Sequence, residues 1–142
     1  MFGRNIIRKK GSKYKNTKVE FDGHLFDSKK EKDRYIVLKT AQEHGFISDL
    51  ALQPKFELIP AVREIYTKQL KTKTKECERT VQLAITYSAD FQYRKDGVVV
   101  VEDVKASPKT ASLDKTFLIK EKLFRWKYGF SIKRVYKATD EI

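Results

Sequence analysis

The dipeptide Asp96-Gly97 stands between two apolar-rich runs within Thr86 to Lys105, and no other stretch constrains the fold as tightly. Asp-Gly readily takes the positive φ angles of a two-residue type I′ turn, so the flanking runs are expected to form a β-hairpin. The turn sets a register. With Asp96 and Gly97 as the loop, Lys95 pairs with Val98, and Asp90 falls opposite Asp103. A three-residue loop, Lys95-Asp96-Gly97, would instead set Glu102 opposite Asp90 and turn Asp103 to the other face.

In the first register, alternation along the strands gathers Ser88, Asp90, Gln92, Asp103 and Lys105 on one face. Directly opposed carboxylates at about 5 Å repel by roughly 3 kcal/mol at an effective dielectric near 20. A surface ion pair returns only about 0–1 kcal/mol, so Lys105 alone does not offset that repulsion. A divalent cation converts it into coordination, and hard oxygen ligands suit magnesium or manganese. The plainer alternative is a solvated hairpin whose acids balance neighbouring lysines.

Asp90 followed by Asp103-Val104-Lys105 resembles the signature of the PD-(D/E)XK nuclease superfamily. The strings Tyr-Ser-Ala-Asp-Phe and Val-Glu-Asp-Val-Lys, with Asp-Ser-Lys-Lys-Glu-Lys-Asp-Arg-Tyr upstream and Leu-Gln-Pro-Lys-Phe-Glu-Leu-Ile-Pro between, resemble small phage and prophage endonucleases of its Holliday-junction-resolvase-like branch. The likeness runs from about Val19 to about Val135. Ala89 replaces the proline of the nominal motif, and Asp103 fills a place more often held by glutamate. The resemblance implies an α/β, restriction-endonuclease-like core, with a central mixed β-sheet flanked by helices. It implies that Asp90 and Asp103 bind one or two Mg²⁺, with Mn²⁺ able to substitute, and that Glu31 on an N-terminal helix supplies a third acid. Lys105 would orient the attacking water, since a lysine beside two carboxylates is a poor free base. Gln53 and Glu102 are accessory candidates.

The chain of 142 residues is the size of one domain. A net charge of +12, from 31 Lys and Arg against 19 Asp and Glu, favours a polyanionic partner, with nucleic acid the default. An anionic membrane lacks support, because the longest aliphatic run, Val98 to Val101, is far too short to span one. The N-terminus lacks a signal-peptide core, and the single cysteine, Cys77, excludes an internal disulfide, so a cytoplasmic location is expected. His24 and His44 read as surface residues, which argues against a His-rich zinc nuclease.

Residues 1–19 read as a flexible basic arm, and Arg8, Lys9, Lys10 and Lys13 are candidates to lie along phosphates; residues 20–142 read as one nuclease-like domain. Glu20 to Phe26 is a short strand and turn around Asp22-Gly23. Ser28-Lys29-Lys30-Glu31 is a capping box opening a helix to about Glu43, with Gly45 past its end. Glu31 therefore has two competing uses, capping the Ser28 N–H or pointing toward the sheet with Tyr35, Leu38 and Gln42. Ser48 to Leu58 is expected as a strand, in which Gln53 is either an exposed strand-end residue or an orienter of water or phosphate. Ala61 to Thr80 reads as a β extension whose tip carries Lys68, Lys71, Lys73 and Lys75.

Val81 to Tyr93 is expected as one strand, with Leu83, Ile85, Tyr87, Ala89 and Phe91 on a core face opposite the acids. Ala106 to Ala111 is expected as a loop, Ser112 to Tyr128 as a helix presenting Lys115 and Lys122 to DNA, and Phe130 to Tyr136 as a last strand. The function expected is Mg²⁺-dependent cleavage of DNA, branched by preference, by a homodimer. The alternatives are a nicking or duplex-cutting endonuclease, a non-catalytic basic DNA-binding protein, and a ribosomal-type RNA binder; the last would need aromatics exposed on the sheet face.

Overall fold

The computed structural model describes residues 17–142, so Arg8, Lys9, Lys10 and Lys13 of the basic arm lie outside the described residues. The chain opens with a hairpin of β1 (Val19–Phe21) and β2 (His24–Phe26), turning at Asp22-Gly23, and passes into α1 (Lys29–Glu43). There follow β3 (Ser48–Leu52), β4 (Lys55–Ile59), β5 (Val62–Gln69), β6 (Thr74–Gln82), β7 (Ile85–Ser88), β8 (Phe91–Lys95) and β9 (Val98–Val104). Two helices, α2 (Pro108–Leu113) and α3 (Lys115–Tyr128), precede β10 (Lys133–Val135). The molecule is a mixed α/β fold. Its largest sheet has the order β10-β9-β8-β3, with β10 parallel to β9 and the remaining pairs antiparallel.

β9 is central and nearly continuous in valine because it is covered on both sides, as strands buried on two faces are. On one side Phe91 and Tyr93 pack with Tyr35, Leu38 and Ala41 of α1; on the other, Val101 packs with Tyr87, Phe117 and Phe124 under α3. Local signals account for the helix ends. The Ser28 hydroxyl accepts the Glu31 N–H at 3.2 Å, and Asp114 accepts the Phe117 N–H at 3.0 Å. Gly129, at φ 79, ends α3 in the left-handed conformation that glycine tolerates best.

Several expected elements are divided. Ser48 to Leu58 is two strands, interrupted at Gln53-Pro54, and Val81 to Tyr93 is likewise cut before β7 and at Ala89-Asp90. Proline brings no N–H to a ladder, and Gln53 turns through φ 49, so the first run cannot continue straight. Leu83 and Ile85 are exposed rather than set on a core face as expected. The expected loop after Lys105 contains α2: Ser107 accepts the Thr110 N–H at 3.1 Å and Pro108 occupies the first turn, the usual N-cap and proline order. α3 consequently starts at Lys115 rather than Ser112.

A buried ion pair joins α1 to β9. Arg34 of α1 donates to Glu102 through Nε (2.9 Å) and Nη2 (2.6 Å), both side chains being fully buried. Tyr93 donates its hydroxyl to the same carboxylate at 2.7 Å, and Arg34 also holds the carbonyls of Ala138 and Asp140. The carboxylate and guanidinium are thereby satisfied inside the sheet–helix layer.

Candidate active site

The hairpin pairs Lys95 with Val98, Tyr93 with Val100 and Phe91 with Glu102, the register of a two-residue loop. Asp96 and Gly97 hold the positive φ angles, 51° and 78°, that a type I′ turn requires. Glu102 thus faces α1 in its ion pair, and Asp103 faces α3, which removes Glu102 from the acid group as an accessory candidate.

Asp90 stands where the two long antiparallel runs break together. β3 pairs with β8 and β4 with β7, and the interval is bridged by Gln53 N–H to Asp90 O (2.9 Å) and Ala89 N–H to Pro54 O (3.0 Å). The Asp90 N–H still donates to Glu102 O at 3.1 Å, while its carboxylate Oδ2 accepts the Val104 N–H at 2.6 Å. An acid is therefore anchored to the end of β9 by a ladder position that a continued strand would have filled with a carbonyl. Across this break the buried residues change sides: Tyr87 and Ala89 join the α3 cluster, Phe91 and Tyr93 the α1 cluster. The expectation that Tyr87 lies opposite the acids is accordingly corrected. Its hydroxyl donates to Asp103 Oδ2.

The other Asp103 oxygen, Oδ1, lies 2.8 Å from Lys105 Nζ, which sits 3.7 Å from the centroid of the Phe117 ring. Lysine and tyrosine thus orient one carboxylate from both sides, and an aromatic face adds to the cost of moving the ammonium. Lys30 from α1 reaches across to the carbonyls of Lys105 (3.2 Å) and Ala106 (2.9 Å), tying the helix to the strand end. Burial raises the Asp90 carboxyl to about 8, with the charges of Asp103 and then Glu31 adding to the shift. Burial likewise raises Tyr87, reinforced by the Asp103 charge and hydrogen bond. Glu31 is raised too, first by burial, though the Asp27 N–H pulls the other way.

Glu31 braces the start of α1, though not through the Ser28 N–H. Its carboxylate accepts the Asp27 N–H at 3.1 Å, rather than that of Ser28, and the Ser28 hydroxyl at 3.3 Å. It nevertheless lines, with Asp90 and Gln53, an open cleft of about 450 Å³ that His24 also borders. Gln53 is exposed, yet its N–H holds the Asp90 carbonyl and its side chain borders the same cleft. A second cleft of about 310 Å³ is lined by Tyr87, Asp103, Lys105, Thr116 and Lys120. The first turns of α3 contribute Thr116 and Lys120, a pair missed in the sequence although its four-residue spacing places both on one helix face.

Among the described residues no three His, Cys, Asp or Glu side chains are gathered closely enough to form a ready-made ion cage. No described residue donates to Asp90 Oδ1, which leaves one hard oxygen donor open, whereas both Asp103 oxygens are engaged, by Lys105 and by Tyr87, so a cation there would have to displace one of them. Lys115 and Lys122 are exposed on α3, and Lys122 borders a separate hollow with Arg125 and Arg134. Lys71, Lys73 and Lys75 lie at the far end of the β5–β6 ribbon. No helix among the described residues is long and apolar enough to cross a membrane.

No curated protein and no solved structure matches the chain. A family model described as "Protein of unknown function (DUF1064)" matches residues 11–139, a span that contains Glu31, Gln53, Asp90, Asp103 and Lys105, and the chain belongs to that family.

Proposed function

We propose that this protein is a Mg²⁺-dependent DNA endonuclease of PD-(D/E)XK type, acting by preference on branched DNA. The observation that carries the reading is the acid pair at the broken ladder: Asp90 fixed on the Val104 N–H, and Asp103 beside it, bonded to Lys105. An acid raised to about 8 by burial and by a neighbouring carboxylate is unfavourable for folding alone, and such groups concentrate at functional sites. The element order α1, β3, β8, β9, α3, β10, with β10 parallel to β9, agrees with a restriction-endonuclease-like core.

Asp90 and Asp103 would hold the metal, with Glu31 as an outer support because its carboxylate already serves Asp27 and Ser28. When bound, Mg²⁺ supplies charge stabilisation and an acidified water. Lys105 carries its ammonium to the mouth of the site, where it orients water and meets charge growing on the phosphate. Tyr87 keeps Asp103 from rotating. Lys120 and Thr116 border the cleft where a phosphate would approach.

The experiment incubates labelled four-way junction, flap, duplex and single strand with the protein, with and without Mg²⁺. Cutting should require metal and fall by at least about a hundredfold in Asp103→Asn, while binding in EDTA is retained. A two-fold dimer suits a junction with two equivalent strands, and the mass by light scattering on that substrate separates it from a monomeric nicking or duplex-cutting enzyme. A second reading, a non-catalytic DNA-binding protein, is favoured by the full occupation of both Asp103 oxygens. It predicts binding indifferent to Mg²⁺ and no cutting of any substrate.

A further inference from the structure

The β5–β6 ribbon is exposed along nearly its whole length, and its two faces differ in charge. Opposed residues share a face, so Glu64 with Arg79, Tyr66 with Cys77, and Lys68 with Lys75 form one side. Arg63 with Thr80, Ile65 with Glu78, Thr67 with Glu76, and Gln69 with Thr74 form the other. On the first face Arg79 neutralises Glu64 at 3.1 Å and lies over the Tyr66 ring, leaving Lys68 and Lys75 without an acid among the described residues. On the second, Glu78 neutralises Arg63 at 3.6 Å, leaving Glu76. Lys71 and Lys73, both exposed, lie in the turn that joins the two strands beside that pair. Like charges set directly opposite destabilise a ribbon, so the Lys68–Lys75 pair has no use in folding.

We infer that the Lys68–Lys75 face of this ribbon lies against the phosphates of duplex DNA, with Lys71 and Lys73 extending the contact. The inference rests on the DNA-endonuclease reading and adds to it an arm that holds the substrate. Eight residues of β5 reach about 27 Å at about 3.4 Å each, and a two-stranded ribbon fits the major groove of B-DNA. Tyr66 and the Arg79 stem supply a flat, amphipathic base to the basic face.

The test measures binding of a labelled B-form duplex in EDTA, where nothing is cut, over a range of salt. Lys68→Gln/Lys75→Gln should weaken binding about tenfold at 0.1 M salt and reduce the slope of log K against log salt by about 2, because two fewer counterions are released. Arg63→Gln removes a positive charge from the opposite face and should leave the slope unchanged. The double variant should unfold at no lower temperature than wild type, which shows that lost binding is not lost folding. An unchanged slope in the double variant, or an equal fall in Arg63→Gln, overturns the inference. An unchanged slope with an altered mass in light scattering also overturns it, assigning the ribbon to a contact between copies. Failure of the wild type to bind DNA at any salt would remove the endonuclease reading as well, whereas metal-dependent cutting with an unchanged slope removes the ribbon alone.

Discussion

Replacing Asp90 by asparagine should stabilise the metal-free protein at alkaline pH. The folded-state acid is raised to about 8 by burial and by Asp103 and Glu31, while in the unfolded chain it titrates near 4. Between those values the folded state keeps a proton that the unfolded state gives up, so stability falls as pH rises across the window and levels off above about 8. A shift of about four units at 1.36 kcal/mol each sets a ceiling near 5–6 kcal/mol. Asp90 borders an open cleft where water screens its charge, and roughly half of that ceiling, about 2–4 kcal/mol, is the expected effect. Asparagine retains an oxygen for the Val104 N–H and cannot ionise. Urea unfolding in EDTA at pH 5, 7 and 9 is the assay. The two proteins should agree within about 1 kcal/mol at pH 5, and the variant should lead by about 2–4 kcal/mol at pH 9. Saturating Mg²⁺ at pH 8 should raise the wild-type midpoint and leave that of Asp90→Asn nearly unmoved. A variant less stable than wild type at pH 9 would refute the reasoning, because it would mean that the ionised carboxylate is held favourably without metal.

Glu102→Gln should destabilise the fold by about 3–5 kcal/mol, since it leaves Arg34 buried without a counter-charge; thermal unfolding measures this, and a loss below about 1 kcal/mol would place the pair in contact with water. Tyr87→Phe should weaken Mg²⁺ binding, read by the metal-induced rise in melting temperature, and lower cleavage at limiting Mg²⁺ more than at saturation. An identical Mg²⁺ response in wild type and variant would reduce Tyr87 to packing alone.

Where the physics is local, the elements were legible in the order of residues. Asp96-Gly97 prescribes positive φ angles that few other pairs accept, so the hairpin register, and with it the opposite facing of Glu102 and Asp103, follows from a single turn. Ser28 and Gly45 mark the ends of α1 by the same kind of reasoning, because a cap satisfies backbone groups within a few residues. Ser107-Pro108, an N-cap followed by proline, carries an equally local signal for α2 inside the stretch expected as a loop. Other features depend on pairs distant in the chain and emerge only once the layers are packed. The break at Asp90 needs Gln53 and Pro54 as its partners, and with it the buried residues change sides, so strict alternation along Val81 to Tyr93 could not locate Tyr87 beside Asp103. Arg34 reads as one more surface cation on α1 until Glu102, 68 residues away, is packed against it. Period-two and helical patterns report which residues are buried, but not which of two layers receives them, and here that choice determines which side chains surround the acids.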